Sequence, residues 1–107
     1  MILRIYQLDI ENPNSHVMIY RDWDRIKNMF NFNAYKQVYE DTEFVHINPL
    51  TNEPFQETTE KLLDHIFMML NIGKKPEGYH GHSLSISDII ELNGVRYYVD
   101  GFGFKKL

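Results

Sequence analysis

Asn93-Gly94 lies between two apolar runs, Ile89 to Leu92 and Val95 to Val99. A two-residue loop of this composition adopts a type I′ turn, whose left-handed backbone matches the twist of paired strands. It predicts a hairpin and fixes its register. Leu92 faces Val95, Glu91 faces Arg96, Ile90 faces Tyr97 and Ile89 faces Tyr98. Side chains alternate along a strand, so Leu92, Val95, Ile90, Tyr97 and Val99 share the core face. Glu91 and Arg96 then form an opposite-charge pair on the other face, contributing about 0.2–1 kcal/mol.

The rest of the chain reads as strands and helices around that hairpin. Residues 2–8 (ILRIYQL) are rich in β-formers, with apolar residues on both parities, which predicts a strand covered on both faces. Asn12-Pro13-Asn14-Ser15 is a turn cluster, and 16–20 (HVMIY) reads as a second strand in hairpin with the first. Asp22 is placed as a helix N-cap, with Trp23, Ile26, Met29 and Phe30 forming one short apolar stripe. Residues 35–45 hold strand-like material, and 48–56, with two prolines, read as a loop. The clearest helix spans 57–72, burying Leu63, Ile66, Phe67 and Leu70 and ending at Gly73. Its opposite face carries Lys61, Asp64, His65 and the apolar Met68. The order is β-β-α-β-α-β-β. This predicts a single α+β domain over residues 1–107, with a mostly antiparallel sheet of about five strands, two helices on one face and the C-terminal hairpin.

Composition removes several functions. The 107 residues include no cysteine, so disulfides, thiolate metal sites and Cys nucleophiles are excluded. Eleven Lys and Arg against 15 Asp and Glu give a net charge of −4, which argues against direct nucleic-acid binding. The longest strongly apolar stretch, 66–70, is far below the ~20 residues a membrane helix needs. The N-terminus, broken by Arg4, Gln7 and Asp9, does not read as a signal peptide. These features predict a cytoplasmic protein. The charge is also uneven. Residues 40–64 carry seven acids and one base, a net −6, and the remainder carries +2. Glu40, Asp41, Glu43, Glu53 and Glu57 are therefore candidate contacts to a partner with a basic surface. A solvated face, with Glu57 and Glu60 complementing a helix dipole, is the plainer alternative.

Residues 78–88 (GYHGHSLSISD) hold the densest chemistry. His80 and His82 could share a metal, with Glu77 or Asp88 adding an oxygen. Ser83 or Ser85 with His82 and Asp88 supplies the residue types of a hydrolase triad, without a G-x-S-x-G elbow. No phosphate-binding loop or cofactor motif is present. The plainer reading is a structural corner. Ser85, Ser87 and Asp88 hydrogen-bond local backbone, and Gly81 supplies an unusual backbone position. His46 and His65 read as a strand residue and an exposed helix residue.

The run Gly81, His82, Ser83, Leu84, Ser85, Ile86, Ser87, Asp88, followed by Ile89-Ile90 and later by Tyr97 to Phe104, resembles the signature of YodL-like domains. Residues 35–40 (YKQVYE), 63–71 and 76–79 are similar to further segments of that family. Gly101 stands where the family pattern has Ser. The resemblance implies a protein of Gram-positive bacteria, their phages or conjugative elements, with no catalytic residues to carry over. The setting implies an anti-defence role. The reading that follows is a small acidic non-enzymatic inhibitor of a host nucleic-acid-handling protein, such as a Cas nuclease or restriction enzyme. A metal-dependent or Ser/His hydrolase using His80, His82, Ser83 and Asp88, and an interaction module for a bacterial cytoskeletal protein, are the alternatives. Met68 and the tail from Tyr97 to Phe104 leave self-association open.

Overall fold

The computed structural model describes residues 1–48, 50–54 and 58–107. Five strands form one antiparallel sheet: β1 (Leu3–Leu8), β2 (Tyr35–Asp41), β3 (Ile89–Leu92), β4 (Val95–Val99) and β5 (Phe104–Lys106), in the order β2-β1-β3-β4-β5. Two α-helices accompany it, α1 (Trp23–Ile26) and α2 (Thr59–Asn71). The predicted α+β class is what is observed. The β3–β4 register is the one the Asn93-Gly94 turn dictates, with Asn93 and Gly94 at φ +50° and +84°.

One strand lies elsewhere than expected. Residues 16–20 do not pair with β1, because β2 and β3 occupy both of its edges. Pro13–Val17 form a 3-10 turn instead, started by Asn12 accepting the Asn14 N–H, with Pro13 in the first turn where its missing donor costs nothing. Met18 then drops fully buried into the core. The fifth strand is β5, a three-residue return of the chain along β4. The element order is therefore β-α-β-α-β-β-β.

The helices also lie on both faces of the sheet. Alternation along β1 sends Leu3 and Ile5 to one side, where they pack with Val38, Ile90, Leu92 and Val99 under Leu63, Ile66 and Leu70 of α2. Tyr6 and Leu8 point to the other side, where Ile89 and Tyr98 meet Met18, Ile26 of α1 and Ala34. An aromatic cluster closes that second layer. Trp23 packs edge-on against Tyr98 at 5.2 Å, and Phe32 stacks on Tyr35. Helix α2 is capped by Thr58, whose hydroxyl accepts the Lys61 N–H. Gly73, at φ +76°, follows its last turn as predicted. None of the described helices is long and apolar enough to cross a membrane.

Candidate functional site

The corner between α2 and β3 is organised by one buried amide. Gln7 interrupts the apolar pattern of β1 and is only 1% exposed. Its Oε1 accepts the His82 N–H at 3.1 Å, and its Nε2 donates to His82 O at 2.9 Å and to Asp88 Oδ2 at 3.1 Å. Both ends of the amide are thus satisfied, as burial demands. Asp88, 2% exposed, uses the same Oδ2 to accept the Ser85 N–H at 2.9 Å. Burial pushes its carboxyl up to about 6, against the pull of Ser85, His82 and Gln7. Gly81 is required by this packing. A Cβ there would fall well inside contact distance of Gln7 Oε1 and 3.0 Å from Val38 Cβ.

The surrounding chain is tied to the same corner. Ser87 sits at φ +87°, with its N–H on Val99 O and its O taking the Tyr35 hydroxyl. Its Oγ accepts the Tyr20 N–H, where Tyr20 itself holds φ +60°. Asn71, ending α2, brackets Leu84 by donating to its O at 2.9 Å and accepting its N–H at 2.6 Å. The Tyr79 hydroxyl donates to His82 O, and the His80 N–H donates to Val38 O on β2. Burial raises the Tyr35 and Tyr79 hydroxyls, the latter to about 12, so both are neutral donors at ordinary pH.

This geometry does not assemble the hydrolase relay. Ser83 Oγ receives Lys75 Nζ at 3.1 Å, while His82 Nδ1 lies 2.6 Å from Ser83 O. A carbonyl only accepts, so Nδ1 carries the hydrogen, and the 3.3 Å approach of Gln7 Nε2 is a packing contact. Asp88 bonds Gln7 and Ser85 and has no hydrogen bond to His82. Ser85 Oγ is buried without a partner among the described residues. Among those residues, no group of three His, Asp or Glu side chains is arranged to hold a metal.

The acidic segment is dispersed by the fold. Glu40 binds Arg4 Nε at 2.7 Å across the β1–β2 pair, on the sheet face opposite α2. Asp41 accepts the Glu43 N–H in the turn after β2, and Glu53 lies in the loop closed by the Ile47–Pro54 bridge. Glu57 lies outside the described residues. Asp41, Glu43 and Glu53 therefore belong to one loop region, and Glu40 is separated from it and already paired. His46 and His65 differ from expectation. Their rings stack at 4.7 Å and both are half-buried. Beside them Met68 and Met69 of α2 and Ile72, which follows its last turn, line a shallow open depression of about 360 Å³.

Sequence reasoning missed Gln7 and Asn71 as organising residues. Gln7 did carry a signal, a lone amide on the buried parity of an otherwise apolar strand. The Glu91–Arg96 pair was foreseen, but its surroundings were not. Glu91 is buried and accepts the Tyr6 hydroxyl at 2.9 Å, and Arg96 lies 3.6 Å over the Phe32 ring.

The chain matches the family model described as the YodL-like domain over residues 2–107. No curated protein and no solved structure matches it. The signature run that forms the Gln7 corner and the strands that enclose it all lie within the matched span, and the chain belongs to the YodL-like domain family.

Proposed function

We propose that this domain is a non-enzymatic binding protein of the bacterial cytoplasm that docks on a basic surface of a nucleic-acid-handling protein and blocks it. A Cas nuclease or a restriction enzyme is the class of partner meant. One observation carries the reading. The signature's Asp88 is committed to Gln7 and Ser85 inside the fold and forms no relay with His82 and Ser83, whereas exposed apolar side chains collect beside the acidic loop. Val45, Ile47 and Leu50 are exposed in the loop that carries Glu43 and Glu53, and Met68 and Met69 on α2 and Ile72 just after it are exposed. The Ile47–Pro54 bridge and the Asn48 N–H to Glu53 O bond fold Glu53 back towards the apolar positions. Exposed apolar groups rimmed by charge are the usual anatomy of a protein interface, with the apolar centre giving affinity and the acids steering a basic partner.

The test uses two double variants at exposed positions, Met68→Lys with Ile72→Lys, and Glu43→Lys with Glu53→Lys. Wild-type protein immobilised in a Gram-positive lysate captures a nucleic-acid-handling protein and, at equimolar ratio, inhibits its cleavage of DNA. Both variants keep the wild-type circular dichroism and lose capture and inhibition. Undiminished inhibition by both variants would overturn the docking face. A captured partner whose activity is unaffected would overturn the inhibitory role.

A further inference from the structure

We propose that the pocket at the end of β1 is a binding site for a small organic anion, a phosphate monoester carrying one apolar ring. The pocket has a volume of about 210 Å³ and is built where β1 and β2 meet the signature segment. Its polar side chains are those of Lys36, His80, His82, Gln7 and Tyr20. Lys36, His80 and His82 are its nitrogen-bearing side chains, and the Gln7 amide beside them is spent on His82 and Asp88. No Asp or Glu lines it, in a chain whose net charge is −4. The other lining is apolar and includes Ile19. A few placed polar groups on an otherwise apolar concavity are the signature of a small-molecule site.

The chemistry follows from the nitrogen donors. Lys36 brings an ammonium group with three donors. His82 commits Nδ1–H to Ser83 O, which leaves Nε2 for a ligand. Lys36 with two imidazoles matches the several oxygens of a phosphate dianion better than the two of a carboxylate. The site is also held in place before any ligand arrives. The His80 N–H is fixed on Val38 O, and Gly81 packs against the Gln7 amide with no room for a side chain. Tyr20, 62% exposed, holds a left-handed φ that its bond to Ser87 Oγ sustains. A bulky residue keeps that conformation only where its surroundings over-determine it, as at ligand sites. A ring on the ester would rest on Ile19 and Tyr20.

This site shares no lining residue with the depression at Met68 and Ile72. It also lies at the other end of β1, because the acidic loop leaves β2 beside Met1, whose O accepts the Phe44 N–H. The proposal therefore stands or falls independently of the docking reading.

The experiment follows the His80 and His82 ring-proton signals by NMR at pH 6.5 and low salt. Phenyl phosphate, inorganic phosphate and benzoate are titrated in turn. The expected result is saturable displacement of both signals by phenyl phosphate, with weaker binding of the other two. Lys36→Glu should weaken phenyl phosphate by about tenfold or more, whereas Lys74→Glu, an exposed change outside the pocket, should not. Displacement that stays linear to millimolar ligand would overturn the proposal, as would equal weakening by both variants. Tighter binding of benzoate would replace the phosphate assignment by a carboxylate one.

Discussion

Gln7 Nε2 donates to Asp88 Oδ2 across 3.1 Å, joining the first strand to the residue that leads into β3. The same oxygen accepts the Ser85 N–H, so Oδ1 is not needed for either bond. Asp88→Asn can therefore keep both hydrogen bonds through its single carbonyl oxygen, whereas Asp88→Ala loses both. The Asp88 carboxyl is raised to about 6 by burial, against an ordinary value of 3.8. Between those values the folded chain binds more protons than the unfolded one. The stability given by neutral Asp88 is thus complete below pH 3.8 and is lost as pH rises through 6, a change of roughly 3 kcal/mol at most. Asp88→Asn should remove this slope and match or exceed wild-type stability at pH 7. Urea denaturation of both proteins at intervals from pH 4 to 7 measures the difference, and parallel profiles would sink the argument.

Gly81→Ala tests the other side of the same contact. The added methyl displaces Gln7 Oε1, and with it the amide's bonds to His82. Overpacking and the partly unsatisfied amide together should cost about 2–4 kcal/mol. Gly73→Ala and Gly94→Ala, where a Cβ meets open space, should cost only the penalty of a left-handed backbone, about 1 kcal/mol. Midpoints of urea unfolding at constant slope give the three values. Equal losses at all three positions would mean that the close approach to Gln7 is unimportant.

Asn71 joins α2 to the signature through a donor and an acceptor at once. Asn71→Ala should lower stability by about 1–3 kcal/mol. Asn71→Asp keeps the acceptor for the Leu84 N–H and sets a carboxylate against the Leu84 carbonyl, so at pH 7 it should gain nothing over Ala. At pH 3 the protonated acid can donate, and it should recover towards wild type. Thermal unfolding at the two pH values separates the variants, and an Asp variant that is stable at pH 7 would contradict the bonding described.

The sequence made the β3–β4 hairpin legible to the residue, because a two-residue type I′ turn leaves one register. Helix α2 was legible because its buried residues recur at helical spacing and Gly73 marks its end, whereas its start was placed at 57 and the Thr58 cap was missed. Residues 16–20 misled because β-branched and aromatic composition is a preference that the surrounding fold overrides, and here Val17 and Tyr20 are left exposed in a turn. Met18 is buried from a turn, and only the pairing of both β1 edges, a property of the whole sheet, excludes a strand there. β5 was invisible because three residues ending in two lysines carry no periodicity. At the signature, Asp88 was readable as a local corner residue through the Ser85 N–H. Ser85 Oγ, however, finds no partner among the described residues, Ser87 Oγ reaches Tyr20, and Gly81 is needed for space beside Gln7 and not for a left-handed backbone. Gln7 was not readable, because its partners lie 75 and 81 residues away. The clustering of acids along the chain likewise said nothing of Arg4, which takes Glu40 out of the cluster.

Arg4 and Arg96 flank the buried Glu91, which gives a prediction for the sheet face opposite α2. Arg4 Nη1 lies 3.8 Å and Arg96 Nε 3.7 Å from its carboxylate, and Tyr6 donates to it. Replacing Glu40 by Gln removes only a partly exposed charge partner of Arg4 and should cost no more than about 1 kcal/mol. Arg96→Met keeps an apolar stem over Phe32 but removes a cation from a buried carboxylate and from an aromatic face. That loss should be the larger, about 2–3 kcal/mol. Replacing Glu91 by Gln in the Arg96→Met background removes the uncompensated charge and should restore about 1–2 kcal/mol, the coupling that a double-mutant cycle reads directly. Additive losses in that cycle would show that Arg96 acts on the stack with Phe32 alone.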